Sequence, residues 1–226
     1  MIIAVPVRAV IFDLDGTLMN TAGEIDVALA RTFAELGVER LATPEVVALI
    51  GRGVRSLVER SLAKQGAAAV DLDSAVHRFE AHYAQLVGTE ADLFPGVAQG
   101  LEILRGAGRR LGVVTNKPRY FTERLLARAG VAPHFAAVVA GDDGIRRKPA
   151  GDMLQAACER MGSRAGETLM LGDSDNDVLA ARAAGCPVWC VPYGYNEGRA
   201  PETLACDRLV ATVEEAARLL TESERT

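Results

Sequence analysis

Five short apolar runs recur along the chain without interleaved polar positions: Ala9–Phe12, Leu111–Val114, Ala136–Val139, Leu169–Leu171 and Val188–Val191. A strand with one wet face alternates apolar and polar residues; these do not, so both faces of each are expected to be covered. The stretches between them are long enough to hold a crossover helix, which predicts a parallel sheet with helices on either side. The fold class that follows is α/β, doubly wound. Between Phe12 and Leu111 the rhythm changes to a helical one. Ile25, Leu29, Phe33 and Leu36 share one helical face, closed by Gly37, and Thr43 with Pro44 opens another helix. Val54, Leu57, Val58 and Leu62 continue the pattern, as do Val76, Phe79, Tyr83 and Leu86. The spacing predicts a small helical subdomain over 19–91, ending where Phe94-Pro95-Gly96 breaks the period. Residues 1–18 and 92–226 are expected to form the α/β core around it.

Composition narrows the classes. With 49% hydrophobic and 24% charged residues the chain matches ordinary globular proteins, which excludes disordered, collagenous and coiled-coil classes. The formal net charge is −5, so no global field would hold a polyanion, and no nucleic-acid partner is expected. No apolar run reaches the roughly 18 residues of a membrane span, and Met1–Arg8 lacks the three regions of a signal peptide. The expected location is therefore cytoplasmic, without a membrane partner. Cys158, Cys186, Cys190 and Cys206 have neither paired Cys-x-x-Cys spacing nor neighbouring histidines, and are read as buried thiols. His77, His82 and His134 are too scattered to make a metal site or a triad.

Polar residues with chemical potential cluster at the ends of the runs. Asp13-Leu14-Asp15-Gly16-Thr17-Leu18 follows the first, Thr115-Asn116-Lys117 the second, Asp142-Asp143 with Arg147-Lys148-Pro149 the third, and Gly172-Asp173-Ser174-Asp175-Asn176-Asp177 the fourth. In an open α/β sheet the carboxyl ends of the strands share one crevice, so these groups should converge there. Several carboxylates brought together repel each other unless a cation intervenes; an all-oxygen set without His or Cys favours Mg²⁺ over zinc or copper. The Asp173-x-Asp175-x-Asp177 run is no EF-hand loop, because Val178 stands where that loop needs Gly and Ala184 where it needs Glu. Gly106-Ala107-Gly108 precedes a strand instead of following one and reads as a turn. No Walker-type loop or Gly-x-Ser-x-Gly elbow is present.

The ordered set Asp13-x-Asp15-Gly16-Thr17-Leu18, Thr115-Asn116, Lys148-Pro149 and Gly172-Asp173-x-x-x-Asp177 resembles the haloacid dehalogenase superfamily of phosphotransferases. The resemblance implies a Rossmann-like core carrying a helical cap. Gly51-Arg52-Gly53, Arg147-Lys148-Pro149 and Tyr193-Gly194-Tyr195-Asn196 are similar to the bacterial phosphoglycolate phosphatases of that superfamily. Two positions depart from the usual pattern: Asn20 stands where an Asp is common, and Gly151 where a second Pro is often found.

By that resemblance Asp13 is the nucleophile toward a phosphomonoester, and Asp15 is general acid and then general base. Mg²⁺ is expected on Asp13, the Asp15 carbonyl and Asp173, with Asp177 as ligand or orienting group. Thr115, the Asn116 backbone and Lys148 would hold the phosphoryl oxygens, whereas Lys117 reads better as a surface lysine. An ordinary Asp, with a pKa of about 3.9, is almost fully ionised at pH 7, so Asp15 is expected to be raised by burial and negative neighbours. Arg52 and Arg55 are candidates to grip a substrate carboxylate, although solvated helix charge is the plainer reading. The expected substrate is a small phosphorylated metabolite, 2-phosphoglycolate first. A sugar phosphate, pyrophosphate or a sugar phosphomutase reaction such as that of β-phosphoglucomutase remain alternatives.

Overall fold

The computed structural model describes residues 6–222. Part of the Met1–Arg8 reading and both ends of the expected core therefore lie outside the described residues. Six strands form one parallel sheet in the order β5-β4-β1-β6-β7-β8. They are β1 (Ala9–Phe12), β4 (Arg110–Val114), β5 (Phe135–Val139), β6 (Thr168–Gly172), β7 (Val188–Cys190) and β8 (Arg208–Leu209). β1 lies at the centre because its four residues, Ala-Val-Ile-Phe, can be buried on both faces. Val10 and Phe12 enter one core with Leu101 and Leu104 of α5 (Val97–Gly106) and Val213 and Leu220 of α9 (Val213–Glu222). Ala9 and Ile11 enter a second core with Met153 and Leu154 of α7 (Asp152–Met161) and Val178 and Ala181 of α8 (Asp175–Ala184). The two-residue period of the strand thus divides the molecule into two layers about one sheet.

The five apolar runs all become strands, which is the parallel α/β sheet expected. The edge strand β8 escapes a hydrophobic reading because Arg208 and Leu209 are both exposed. The helical stretch is entered through β2 (Met19–Asn20) and left through β3 (Asp92–Leu93), which pair antiparallel. Between them lie α1 (Ala22–Leu36), α2 (Thr43–Val47), α3 (Val54–Lys64) and α4 (Leu72–Leu86). Ile25, Leu29 and Phe33 of α1 and Phe79 and Tyr83 of α4 are buried together, so these helices meet along the faces their periodicity marks. Gly37 ends α1 in the left-handed conformation. Among the described residues no helix is long and apolar enough to cross a membrane.

Candidate active site

Phe12 is in register with Val113 on one side and Leu171 on the other, so β1, β4 and β6 end nearly together. Asp13, Thr115 and Asp173 then emerge side by side at the point where the chain order reverses about β1, the place where open α/β sheets form a crevice. All three are buried. Gly16 makes the turn after Asp13 possible. Its φ is +85°, and a Cβ there would lie 2.6 Å from Asp173 Oδ2.

Two chain segments converge on this row. Ser174 caps α8, and the Asp177 side chain reaches back as in a capping box. Asp177 Oδ2 accepts from the backbone N–H groups of Asp173 and Ser174, each at 3.1 Å, and from the Ser174 hydroxyl at 2.8 Å. Its other oxygen accepts from Lys148 Nζ at 2.7 Å. Lys148 also meets Asp13 Oδ1 at 2.9 Å, with its side chain 1% exposed. Asp13 Oδ1 accepts from the Leu14 N–H at 2.7 Å as well. Both protein bonds of Asp13 therefore end on Oδ1, and no hydrogen bond reaches Oδ2 from the described residues. Asp173 is aimed by the Thr17 hydroxyl on Oδ1 and the Tyr195 N–H on Oδ2, both at 2.8 Å.

Oxygens of Asp13, Asp173 and Asp177 lie within 4.8 Å of one another. Three carboxyl groups face a single ammonium here, an excess of two negative charges when all three are ionised. Burial pushes the Asp13 carboxyl well above the usual range, opposed by Lys148 and reinforced by Asp177 and Asp173. Burial followed by Asp177 pushes Asp173 up to about 7, against the Tyr195 N–H, the Thr17 hydroxyl and Lys148. Lys148 is raised because its two carboxylate partners outweigh its own burial. A hard divalent cation matches this donor set in charge and in chemistry, since every donor is oxygen. Asp177, with both oxygens engaged, suits orientation of its neighbours better than direct ligation.

In the metal-free protein the carboxyls of Asp13 and Asp173 keep protons that the unfolded chain releases near pH 4 (roughly pKa 3.9 for Asp). The folded state then binds more protons than the unfolded one, so stability falls as pH rises from about 4 to about 7. Mg²⁺ should reverse this. Saturation at roughly a hundred times the dissociation constant is expected to raise Tm by about 5 to 10 °C at pH 8 and far less at pH 5. Thermal unfolding with EDTA or Mg²⁺ at the two pH values measures it; equal gains at both would contradict the assignment.

Asp15 and Lys117 differ from expectation. Lys117 is 5% exposed, not a surface lysine. Its Nζ bonds Asp15 Oδ1 at 2.8 Å and Oδ2 at 2.9 Å, and it lies 4.9 Å from the centre of the Tyr83 ring. The charge facing Asp15 is thus a cation where negative neighbours were expected; Thr21 adds a hydroxyl at 2.7 Å. The reason is topological: Lys117 follows β4 into the crevice, and its carboxylate partner comes from the turn after β1.

Thr115 is 2% exposed and its hydroxyl accepts from the Lys117 N–H. The Asn116 amide donates to the carbonyls of Gly51 and Lys148, both at 3.0 Å, tying the helical unit to the core. Asp142 and Asp143 leave the crevice. Asp142 accepts from the Arg119 N–H at the start of α6 (Arg119–Arg128), and Asp143 receives the Arg119 guanidinium. Arg52 pairs through two nitrogens with Glu197 on the core, and Arg55 pairs with Asp73 at 2.6 Å. Asn20 accepts from the Tyr195 hydroxyl at 3.2 Å, a task for which a neutral amide suffices. At Gly151 any Cβ would come 2.7 Å from the Ala184 N, so the absent side chain lets α7 begin against the end of α8.

Sequence pattern gives no orienting role to Thr17, Ser174 or the Tyr195 backbone, which position carboxylates. Ser174 three residues before Asp177 was a legible capping signal; the others depend on tertiary approach.

The sequence model of the haloacid dehalogenase-like hydrolases matches residues 7–185. The chain belongs to that family. It is 41% identical over 221 residues to a phosphoglycolate phosphatase of Nitrosospira multiformis, covering 96% of this chain and 97% of the relative. It is 43% identical over 220 residues to the plasmid phosphoglycolate phosphatase of Cupriavidus necator, covering 97% and 95%. A crystal structure of a predicted phosphoglycolate phosphatase from Haemophilus somnus superposes with a TM-score of 0.89 at 26% identity, covering 97% of this chain and 99% of that one. The chain is a hydrolase of the phosphatase class.

Proposed function

We propose that this protein hydrolyses 2-phosphoglycolate to glycolate and phosphate through a phosphoaspartate on Asp13, with Mg²⁺ as cofactor. The observation that carries the reading is the state of Asp13: one oxygen is pinned by Lys148 and the Leu14 N–H, and the other accepts no hydrogen bond from the described residues. A carboxylate held this way presents a lone pair in a fixed direction. The two relatives named phosphoglycolate phosphatase support the substrate.

Residues 1–18 and 92–226 act as the catalytic core and 19–91 as its cap. Asp13 and Asp173, with the Asp15 carbonyl, would hold Mg²⁺ while Asp177 orients them. When bound, that ion supplies positive charge against the phosphoryl oxygens. The need is large, because each pair of unit like charges at about 4 Å costs on the order of 4 kcal/mol at an effective dielectric near 20. Lys148 supplies further positive charge from the protein. Asp13 Oδ2 attacks phosphorus as the bond to the glycolate oxygen breaks, and Asp15 gives that oxygen its proton. Asp15 next takes a proton from water, whose oxygen attacks the phosphoaspartate and releases inorganic phosphate. Thr115 and the Asn116 backbone donate to the phosphoryl oxygens. In this structure Lys117 donates to both oxygens of Asp15, so for Asp15 to carry the proton it gives, Lys117 must release one of them.

Asp15→Asn is expected to lower kcat by at least about 100-fold and to abolish one limb of a bell-shaped kcat/KM profile. An unchanged rate and profile would remove Asp15 from proton transfer. The substrate is tested by phosphate release from 2-phosphoglycolate, β-glucose 1-phosphate and pyrophosphate, with and without Mg²⁺. Dominant kcat/KM for 2-phosphoglycolate is expected; equal values across the panel would overturn the specific assignment.

A further inference from the structure

The loop that follows β7 touches two parts of the molecule at once. Gly194 lies flush on Asp173: a Cβ there would come 2.2 Å from the Asp173 Cβ, and one on Gly16 would come 2.6 Å from Asp173 Oδ2. Asp173 is thus packed between the turn after β1 and the loop after β7, and in so close a fit a shift of one displaces the others. Tyr193 ties the loop to that turn, its hydroxyl donating to the Thr17 carbonyl at 2.9 Å. Tyr195 donates its N–H to Asp173 Oδ2 and sends its side chain on to the helical unit.

Tyr195 is buried, and its hydroxyl stands at the start of α1. It accepts from the N–H groups of Thr21 at 2.9 Å and Ala22 at 3.1 Å, and donates to Asn20 Oδ1 at 3.2 Å. A phenol has one proton to give and lone pairs to receive. Asn20 takes the proton, which leaves the oxygen free to accept both N–H groups. The helix has no cap of its own, because the hydroxyl of its N-cap residue, Thr21, goes to Asp15 Oδ1 at 2.7 Å instead. Asn20 ends β2, one of the two crossings between the helical unit and the core. A side chain 174 positions away therefore closes a hydrogen-bonded route from Asp173 to the hinge.

We infer that Tyr195 is a positioning residue that couples cation occupancy at Asp173 to the set of the β2–α1 hinge, its N–H aiming the carboxylate and its hydroxyl capping the helix. The inference rests on the reading of Asp173 as a cation ligand and deepens it. Coupling of this kind is reciprocal: a cation that fixes Asp173 steadies the hinge, and a steadied hinge tightens the cation site. The hinge also carries the Thr21 hydroxyl that bonds Asp15, so both carboxyl groups feel the same anchor.

The test follows amide exchange by mass spectrometry in peptides spanning 17–28, with EDTA or with saturating Mg²⁺, and measures the Mg²⁺ dissociation constant by calorimetry. The full-length parent is compared with Tyr195→Phe, which keeps the ring and the N–H, and with Tyr193→Phe, which removes a neighbouring hydroxyl that does not reach the hinge. In the parent, Mg²⁺ is expected to slow exchange at Thr21 and Ala22 by about 5-fold or more. In Tyr195→Phe the slowing should shrink to less than about twofold and the dissociation constant should rise by about 3- to 10-fold, as for loss of one hydrogen bond. Tyr193→Phe should keep the slowing. A parent that binds Mg²⁺ with no change at Thr21 and Ala22, or a Tyr195→Phe that matches the parent in both measurements, overturns the inference and leaves the cation reading intact. Equal loss of the slowing in both variants overturns it too, since any missing hydroxyl would then suffice. If the parent binds no Mg²⁺, the cation reading falls and the inference with it.

Discussion

Asp13→Asn is expected to lower kcat by about 10⁴-fold or more, with no phosphate left on the acid-quenched protein. The substitution keeps the shape of the side chain, and its Oδ1 can still accept the Leu14 N–H that now holds Asp13 at 2.7 Å. It removes the nucleophile, because an amide oxygen has no charge to bring to phosphorus. The experiment is a single-turnover assay with labelled substrate, quenched in acid at early times. The parent should carry acid-stable, base-labile label in proportion to enzyme; the variant should carry none. Since the site holds an excess of negative charge, the folded state should tolerate loss of one carboxylate, and a melting curve near that of the parent separates lost chemistry from lost structure. More than about 1% residual kcat would exclude Asp13 as nucleophile.

The local pattern carried the sheet further than the site. Five apolar runs without alternation identify the strands because burial on both faces is a property of each strand alone. Asp13, Thr115 and Asp173 could be assigned to one crevice because each follows a strand directly, and parallel strands end on one side. The limit appears at Lys117. Its sequence neighbours look like any strand-end turn, and its partner Asp15 is separated from it by 102 positions. Arg52 shows the same limit in reverse: a glycine-flanked arginine suggested a ligand clamp, while its partner Glu197 sits on a core loop 145 positions away. Helical periodicity puts Tyr83 on a buried face, where it packs on Phe79 and Phe121. Apolar periodicity registers the ring and is blind to the hydroxyl at its tip, which Lys117 approaches from the core.

Lys148→Met should have the second large effect, on stability as well as rate. The Lys148 ammonium lies 2.9 Å from Asp13 Oδ1 and 2.7 Å from Asp177 Oδ1, and its side chain is almost wholly enclosed. Methionine fills similar space without charge, so the packing is largely kept, Asp13 and Asp177 lose their shared cation, and Asp173 loses a nearby positive charge. Removing one partner of a buried ion pair costs roughly 3 to 5 kcal/mol, or about 6 to 20 °C in Tm for a chain of this size. The loss should depend on pH in a defined direction. Without the ammonium, Asp13 and Asp173 hold their protons more tightly in the folded state, so the penalty is greatest where the unfolded chain is fully ionised. At pH 8 the drop in Tm is expected to exceed the drop at pH 5, with EDTA present at both values to exclude metal. Lys148→Arg should not restore the parent, because a planar guanidinium cannot reproduce the single nitrogen between two carboxylates in so closed a space. At 20 °C with saturating Mg²⁺, where the variant remains folded, kcat/KM should still fall by about 1,000-fold from loss of charge compensation in the transition state. Equal melting temperatures for parent and Lys148→Met at pH 8 would show that the three carboxylates do not depend on this ammonium, and the electrostatic account of the site would fail with it.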